Sequence, residues 1–324
     1  MEQQPTTVLN ANALELHYWF NDNSHTMNAF VQNKCELEFL GIINEIATTL
    51  VAEIIIETEP FGDGGLIRWF RIKTKLNEKS SVLKVAIVTA LATAILVTPL
   101  NTVVTKATEK LIEKAFEDEE KTNRATEKEK LELEELKLNV ELKRQLLHKN
   151  TVISKKKSNF YEILDTYPKV TQVSIAIQDK DKKRVSEENF VRKENFKEFI
   201  LVTDKLEPDY IDNAIIEIIS PVLKKGDYKW RGIYNGETVS FTMNSNEFKT
   251  LVQTGKIEFK NGSSINCLLK IDKKMNNEGI EQISNYTIKR VNNYFENDKP
   301  IETPEGKNYR QKREADESQY GMFD

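Results

Sequence analysis

The sequence predicts an α+β membrane protein with one transmembrane helix between two soluble parts. Residues 85–105 form a run of 21 residues without a charge, in a chain of which 30% is charged. At about 1.5 Å per helical residue, such a run can cross a bilayer core of roughly 30 Å. A buried core helix is the alternative interpretation, although such runs are usually shorter. After residue 170 the hydrophobic period changes to two, which is typical of β-strands.

Composition leaves the class of protein open but excludes some interpretations. A chain of 324 residues predicts about two domains. Its 47 basic and 51 acidic residues give a net charge of −4, which is too balanced to indicate nucleic-acid binding from total charge alone. Cys35 and Cys267 match neither a disulfide framework nor a zinc spacing, so a reducing compartment is expected. No secretory signal is expected at the N-terminus.

Residues 1–60 predict a small α/β domain with the order strand, helix, strand. The strand is LELHYWF, the helix follows a turn in which Ser24 can cap it, and VAEIIIET supplies the second strand. Residues 61–81 form a glycine-broken, basic and aromatic linker, which is typical of a membrane interface. We expect the transmembrane helix to occupy residues 82–105.

Small and hydroxyl-bearing side chains share one side of the predicted transmembrane helix. Such residues let helices approach closely in a membrane, so this side is expected to pack against copies of itself. Several copies could line a pore, and packing without conduction fits the sequence equally well. Charges flanking the helix leave both orientations open. The predicted pore or packing residues are Ala86, Thr89, Ala90, Thr93, Ala94 and Asn101.

Residues 106–150 predict a long charged helix that continues from the membrane segment. Glu and Lys dominate, Gly and Pro are absent, and apolar residues recur at near-heptad intervals. A narrow apolar seam of this kind is typical of a stalk or coiled coil. A solvated single helix is the alternative, because several core positions of a coiled coil would be charged.

Residues 170–297 predict a mostly antiparallel β domain that binds a ligand. Asn235-Gly236 and Asn261-Gly262 are expected to form hairpin turns. Cations interleaved with aromatic rings suit single-stranded nucleic acid through base stacking and phosphate contact. The alternative is outward lysines with Trp230 in the core. Residues 298–324 are polar and are expected to be disordered. The predicted ligand-binding residues are Tyr228, Lys229, Trp230, Arg231, Lys289 and Arg290.

No motif in the sequence predicts catalysis, a cofactor or a metal site. The chain lacks a phosphate-binding glycine loop, a nucleophile elbow, an HExxH motif and paired cysteines. His17, His25 and Cys35 could be compared with a metal site, but a core histidine and a buried thiol explain them better. We therefore expect a protein that is not an enzyme.

The stretch HYWFNDNSHTMNAFVQNKCELEFLGII, an apolar segment and ISPVLKKGDYKWRGIYNGETVSF follow one another in the chain. This combination resembles the membrane effectors of Hailong-type bacterial anti-phage defence. The resemblance implies a homo-oligomeric ion channel in the bacterial inner membrane. The larger C-terminal domain has no exported character, so we expect it in the cytoplasm. The resemblance also implies depolarisation of the membrane under control of a nucleic-acid oligomer made by a partner nucleotidyltransferase. The alternative function is a non-conducting membrane scaffold that recruits another protein.

Overall fold

The chain folds into two compact units. The first unit contains Met1–Thr203 and Asn277–Ile280, and the second contains Asp204–Asn276 and Glu281–Asp324. The sequence placed the start of the C-terminal β domain at residue 170, but that strand belongs to the first unit. The computed structural model describes residues 9, 11–22, 26–59, 66–75, 79–100, 102, 106–122, 127–224, 226, 228–260, 262–296 and 299–320.

An antiparallel five-stranded sheet forms one layer of the first unit. Its order is β2-β3-β1-β4-β5, so β1 is central and pairs with both β3 and β4. Leu14, Leu16 and Tyr18 alternate along β1 and are fully buried. The strands are β1 (Ala13–Phe20), β2 (Ile54–Thr58), β3 (Leu66–Thr74), β4 (Val170–Gln178) and β5 (Asn189–Arg192).

In the described part of the first unit, five α-helices and a 3₁₀ helix accompany the sheet. The helix α1 packs along α5, and α2 contacts β1, β3 and β4. Asn28 caps α1, because its Oδ1 accepts hydrogen bonds from the amides of Phe30 and Val31. Ser24, the predicted cap, lies outside the described residues. The helices are α1 (Ala29–Thr49), α2 (Lys79–Val97), α3 (Lys106–Thr122), α4 (Glu127–His148), α5 (Thr151–Thr166) and the 3₁₀ helix Lys193–Phe199.

The prediction of a transmembrane helix at 82–105 is wrong, and with it the α+β membrane fold class. The helix α2 ends at Val97. Among the described residues, no helix combines the length and apolar character needed to cross a membrane. The side chains of Leu83 and of residues 85–96 are at most 6% exposed, on every side of α2. A helix that is apolar all round needs an apolar environment, and here the protein core supplies it.

Two polar side chains of α5 satisfy carbonyl groups at the buried end of α2. A helix leaves its last carbonyl oxygens without intrahelical partners, which is costly inside a core. Lys157 Nζ donates to the Thr98 carbonyl at 2.9 Å, and the Tyr161 hydroxyl donates to the Leu96 carbonyl at 2.7 Å. Burial lowers the pKa of Lys157 to about 8. These two contacts allow α2 to end in the interior.

Residues 106–150 do not form one stalk. They contain two helices, α3 and α4, and α3 packs against α2 with Ile112, Ala115 and Phe116 buried. The helix α4 buries only Val140 and Leu147 among its described side chains. The apolar seam predicted for a coiled coil therefore packs in part on the first unit itself.

The second unit is a sheet that closes on itself. Its order is β11-β10-β8-β7-β6-β9, and β10 also pairs with β9. All pairings are antiparallel except that of β8 with β10. The strands are β6 (Asp209–Ser220), β7 (Trp230–Tyr234), β8 (Glu237–Met243), β9 (Ser264–Met275), β10 (Glu281–Glu296) and β11 (Lys299–Glu302).

The region predicted as a disordered tail at 298–324 contains β11 and the helix α7 (Pro304–Tyr320). Gly306 lets α7 approach β10 closely, because a Cβ there would lie 2.2 Å from the Asn292 carbonyl oxygen. Thr303 Oγ1 caps the helix by accepting from the Gly306 amide at 3.0 Å. The polar composition of this segment thus belongs to a packed helix whose outer side is solvated.

The five strands β6 to β10 have the architecture of an oligonucleotide/oligosaccharide-binding (OB) fold. Counted from β6, the first strand pairs with the second and fourth, and the third pairs in parallel with the fifth. The helix α6 (Asn246–Gln253) lies between the third and fourth strands. A closed five-stranded Greek-key sheet is the arrangement that defines this fold.

Candidate nucleic-acid interface

The candidate interface lies on β7, β8 and the loop that enters β7. Trp230 and Gly232 of β7 are buried, whereas Lys229 and Arg231 are exposed, as the alternation of a strand requires. On β8, Ser240 is exposed and pairs with Arg231. We call the surface formed by Tyr228, Lys229, Arg231 and Ser240 the β7–β8 face.

Trp230 does not belong to this face, so its prediction as a ligand-binding residue is wrong. Its side chain is fully buried. The ring lies 6.3 Å from Phe241, 6.4 Å from Phe248 and 5.9 Å from Phe259, measured between centroids. Trp230 is therefore the centre of the aromatic core of the second unit, and it has no surface to offer a base.

Tyr228 is the exposed aromatic residue of the face, and α6 fixes the loop that carries it. Lys249 Nζ donates to the Gly226 carbonyl at 3.2 Å, and Gln253 Nε2 donates to the Lys224 carbonyl at 3.3 Å. Gly226 has a φ of 137° and lies against the Tyr228 ring, since a Cβ would be 2.9 Å from Cε2. The Tyr228 side chain remains 54% exposed. The loop thus presents an aromatic ring to solvent at a defined position.

Lys229 and Arg231 are exposed cations, and the side-chain partner of Lys229 within the described residues is a neutral amide. Lys229 Nζ donates to Asn285 Oδ1 at 2.9 Å, and Asn285 Nδ2 donates to Thr287 Oγ1 at 2.9 Å. Within the described part of the chain, neither cation forms an ion pair with an acidic side chain. An exposed cation whose partners are neutral keeps its full attraction for a phosphate. Asn285 and Thr287 were not predicted, because their proximity depends on the β8–β10 pairing.

Lys289 and Arg290 lie next to each other on β10 but differ in availability. Lys289 is exposed. The Arg290 guanidinium stacks 3.4 Å from the centroid of the Tyr309 ring, and its Nη2 lies 3.5 Å from Asp212 Oδ1. Its Nε also donates to Asn292 at 2.8 Å. These contacts join Arg290 to α7 and β6, and its role as a ligand contact stays a prediction.

The predicted pore residues do not face a lumen. Ala86, Ala90 and Ala94 are at most 5% exposed and lie in the protein core. The Thr89 hydroxyl donates to the Val85 carbonyl at 2.8 Å, and the Thr93 hydroxyl donates to the Thr89 carbonyl at 3.1 Å. Their polar atoms are thus satisfied within α2 itself. Asn101 lies outside the described residues.

The residues compared with a metal site do not form one in the described part of the chain. No group of three His, Cys, Asp or Glu side chains there could hold a metal ion. His17 is buried beside Trp19, with ring centroids 4.0 Å apart. Burial, with smaller contributions from Glu36 and Glu38, raises the pKa of the Cys35 thiol to about 12. His25 lies outside the described residues.

A buried carboxylate in the first unit is a polar cluster that sequence reasoning missed. Glu15 is 5% exposed and accepts hydrogen bonds from Gln178 Nε2, from Trp69 Nε1 at 3.2 Å and from Arg184 Nη2 at 3.1 Å. Three donors satisfy the carboxylate, as a buried charge requires. The donors come from three other segments of the first unit, so the cluster ties the sheet together.

Comparison with known protein families, with curated proteins and with solved structures gives no match for this chain. The resemblance to Hailong-type effectors therefore stays a prediction. The β7–β8 face is thus defined by its own chemistry, which is an exposed ring, two exposed cations and neutral hydrogen-bonding side chains.

Proposed function

We propose that the second unit binds single-stranded nucleic acid on the β7–β8 face. The observation that carries this proposal is the strand order, which puts Tyr228, Lys229 and Arg231 on the part of the fold that OB proteins use. In that fold, the second and third strands and the loop between the first and second strands contact oligonucleotides. Here these elements are β7, β8 and the described residues 221–224, 226, 228 and 229 between β6 and β7.

The residues of the face have complementary roles toward such a ligand. The Tyr228 ring offers a surface on which a base stacks. Lys229 and Arg231 lie two residues apart on one side of the chain, a separation of about 7 Å along a strand. They can therefore contact neighbouring phosphates of one extended strand. Ser240 and Asn285 add neutral hydrogen-bonding groups beside the two cations.

A short oligomer has the chemistry that this face requires. The resemblance noted in the sequence implies such an oligomer, made by a partner nucleotidyltransferase, and we include this ligand class in the proposal. An OB fold covers roughly 4 to 16 nucleotides.

Fluorescence polarisation with labelled single strands of about 12 nucleotides tests the proposal. The full chain is titrated at low and moderate salt with DNA and RNA strands. Removing the ring on which a base stacks costs about 1 to 3 kcal/mol, so Tyr228→Ala should weaken binding by about 5- to 150-fold. The double variant Lys229→Gln, Arg231→Gln should lower the salt slope by about 0.7 for each phosphate that the variant no longer neutralises.

The matched control removes two exposed cations of the first unit, as Lys34→Gln, Lys110→Gln. This variant changes the net charge by the same amount and should bind like the unmodified chain. Equal weakening in both double variants would mean that only total charge matters, and the face would be excluded. Absence of binding to every strand at low salt would overturn the proposed function.

A further inference from the structure

A cavity of about 140 Å³ lies in the first unit, between the end of α1, the first half of α2 and the middle of α4. Three of the side chains that line it are buried in the protein core, and we call them the apolar floor. An apolar cavity of about 150 Å³ is large enough for benzene, so this one can hold a chain of about six carbons. The apolar floor consists of Leu50, Ile87 and Val140.

Two cations line the same cavity. Lys84 comes from α2 and Lys143 from α4, and both side chains are partly buried. The amide of Asn139 also lines it, and none of the lining residues within the described part of the chain is acidic. Two like charges at one cavity repel each other, and an anion between them offsets this repulsion. The cavity therefore combines an apolar interior with a positive potential.

Val51, at the edge of this cavity, has a backbone conformation that a β-branched residue rarely adopts. Its φ is 54°, because α1 ends in a Schellman motif in which the Ala52 amide donates to the Ala47 carbonyl and the Val51 amide to the Thr48 carbonyl. Glycine is the usual residue at this position. The Val51 side chain is 70% exposed, so packing within the chain offsets little of the strain. Strained residues of this kind cluster at ligand sites.

We propose that this cavity binds a saturated monocarboxylate of about six carbons, such as hexanoate. The chain of the ligand lies on the apolar floor and contacts Val51, and its carboxylate accepts charge-assisted hydrogen bonds from Lys84 and Lys143. Apolar walls with a few polar groups that orient the ligand are typical of small-molecule sites. This site belongs to the first unit, and it does not depend on nucleic-acid binding by the second.

Isothermal titration calorimetry of the full chain tests the site with hexanoate, butanoate and hexanol. Each buried CH₂ group contributes about fourfold in affinity, so hexanoate should bind about 15-fold more tightly than butanoate. Hexanol has the chain without the charge and should bind at least about tenfold more weakly than hexanoate. Absence of hexanoate binding, or equal binding of hexanoate and hexanol, would overturn the proposal.

Two double variants of equal charge locate the carboxylate. Lys84→Gln, Lys143→Gln should weaken hexanoate binding by at least about tenfold, since it removes both charged hydrogen-bond donors. Lys34→Gln, Lys110→Gln is the matched control, because both lysines are exposed and neither lines the cavity. It should bind hexanoate like the unmodified chain. Equal weakening in the two double variants would exclude the cavity as the site.

Val51→Gly separates a role in binding from a role in the fold. Glycine adopts the positive φ without strain, so this variant should melt at the same temperature as the unmodified chain or above it. It loses the contact with the ligand chain and should bind hexanoate at least about fourfold more weakly. A variant that melts lower and binds hexanoate as tightly as the unmodified chain would show that Val51 serves the fold alone, and its place in the site would be refuted.

Discussion

Replacing Lys157 by methionine should remove a pH dependence from the stability of the first unit. Lys157 is 6% exposed and holds the Thr98 carbonyl at the end of α2. Burial disfavours its charged form and lowers its pKa from 10.5 to about 8. Methionine has a similar length and no charge, so it fills the same space without titrating.

The direction and size of the effect follow from the two pKa values. Below about pH 8 the lysine is protonated in both the folded and the unfolded chain, and the folded state carries the full cost of burying the charge. Between pH 8 and 10.5 the folded state loses the proton while the unfolded state keeps it, so the free energy of unfolding rises with pH. A shift of this size corresponds to about 3 kcal/mol.

Urea unfolding at several pH values between 7 and about 10.5 measures this change. Trp19 and Trp69 report on the first unit when Trp230 of the second unit is replaced by phenylalanine. In this background, the unfolding free energy of the chain that keeps Lys157 should rise by about 3 kcal/mol relative to that of the Lys157→Met variant as the pH increases across this range. Lys34→Met, at an exposed position, should leave the pH profile unchanged. A constant difference across the range would refute the assignment of Lys157 as a buried titrating group.

Two further predictions concern the second unit. Trp230→Ala should lower the stability of the second unit by about 3 to 5 kcal/mol, because the ring is fully buried among three phenylalanines. Tyr228 is exposed, so Tyr228→Ala should lower this stability by less than about 0.5 kcal/mol. Equal destabilisation of the two variants in thermal melts would contradict the burial of Trp230. Gly306→Ala should lower the stability of the second unit by about 1 to 3 kcal/mol, because the added Cβ would clash with the Asn292 carbonyl oxygen. Equal melting temperatures of this variant and the unmodified chain would show that α7 does not pack closely on β10.

The apolar segment shows why local sequence could not determine the fold class. A run without charges satisfies the requirements of a lipid bilayer and of a protein core equally well. What distinguishes the two is the partner surface, which for α2 comes from β1, β3, β4, α1 and α3. The end of α2 lies just before Pro99, where Lys157 donates a hydrogen bond to the Thr98 carbonyl. Only the tertiary structure brings Lys157 to this end of the helix.

The boundary of the second unit was misplaced for a similar reason. β4 alternates like the strands that follow it, so its period gives no sign that it pairs with β1, which lies more than 150 residues earlier. Strand pairing over such a separation is not encoded in local periodicity. The hairpin turn at Asn235-Gly236, by contrast, follows from two adjacent residues, and both have the positive φ that such a turn requires.

The candidate site was only partly predictable from residue types. Alternation along β7 means that Trp230 and Arg231 face opposite sides, but which side is buried depends on the core of the second unit. Lys229 and Arg231 are exposed, and their role as ligand contacts stays a prediction. The contacts of Arg290 could not be read from residue types, because its partners Asp212 and Tyr309 come from β6 and α7.

The central position of β1 has a consequence for synthesis on the ribosome. β1 cannot complete its pairing until β4 has been made, and α2 packs on both strands. At roughly 5 to 20 residues per second, the 81 residues from Val97 to Gln178 take roughly 4 to 16 seconds to synthesise. During this interval the nascent chain carries an apolar helix that lacks β4, one of the elements that cover it. A factor that shields hydrophobic segments on the ribosome should therefore bind this chain early and leave once β4 emerges.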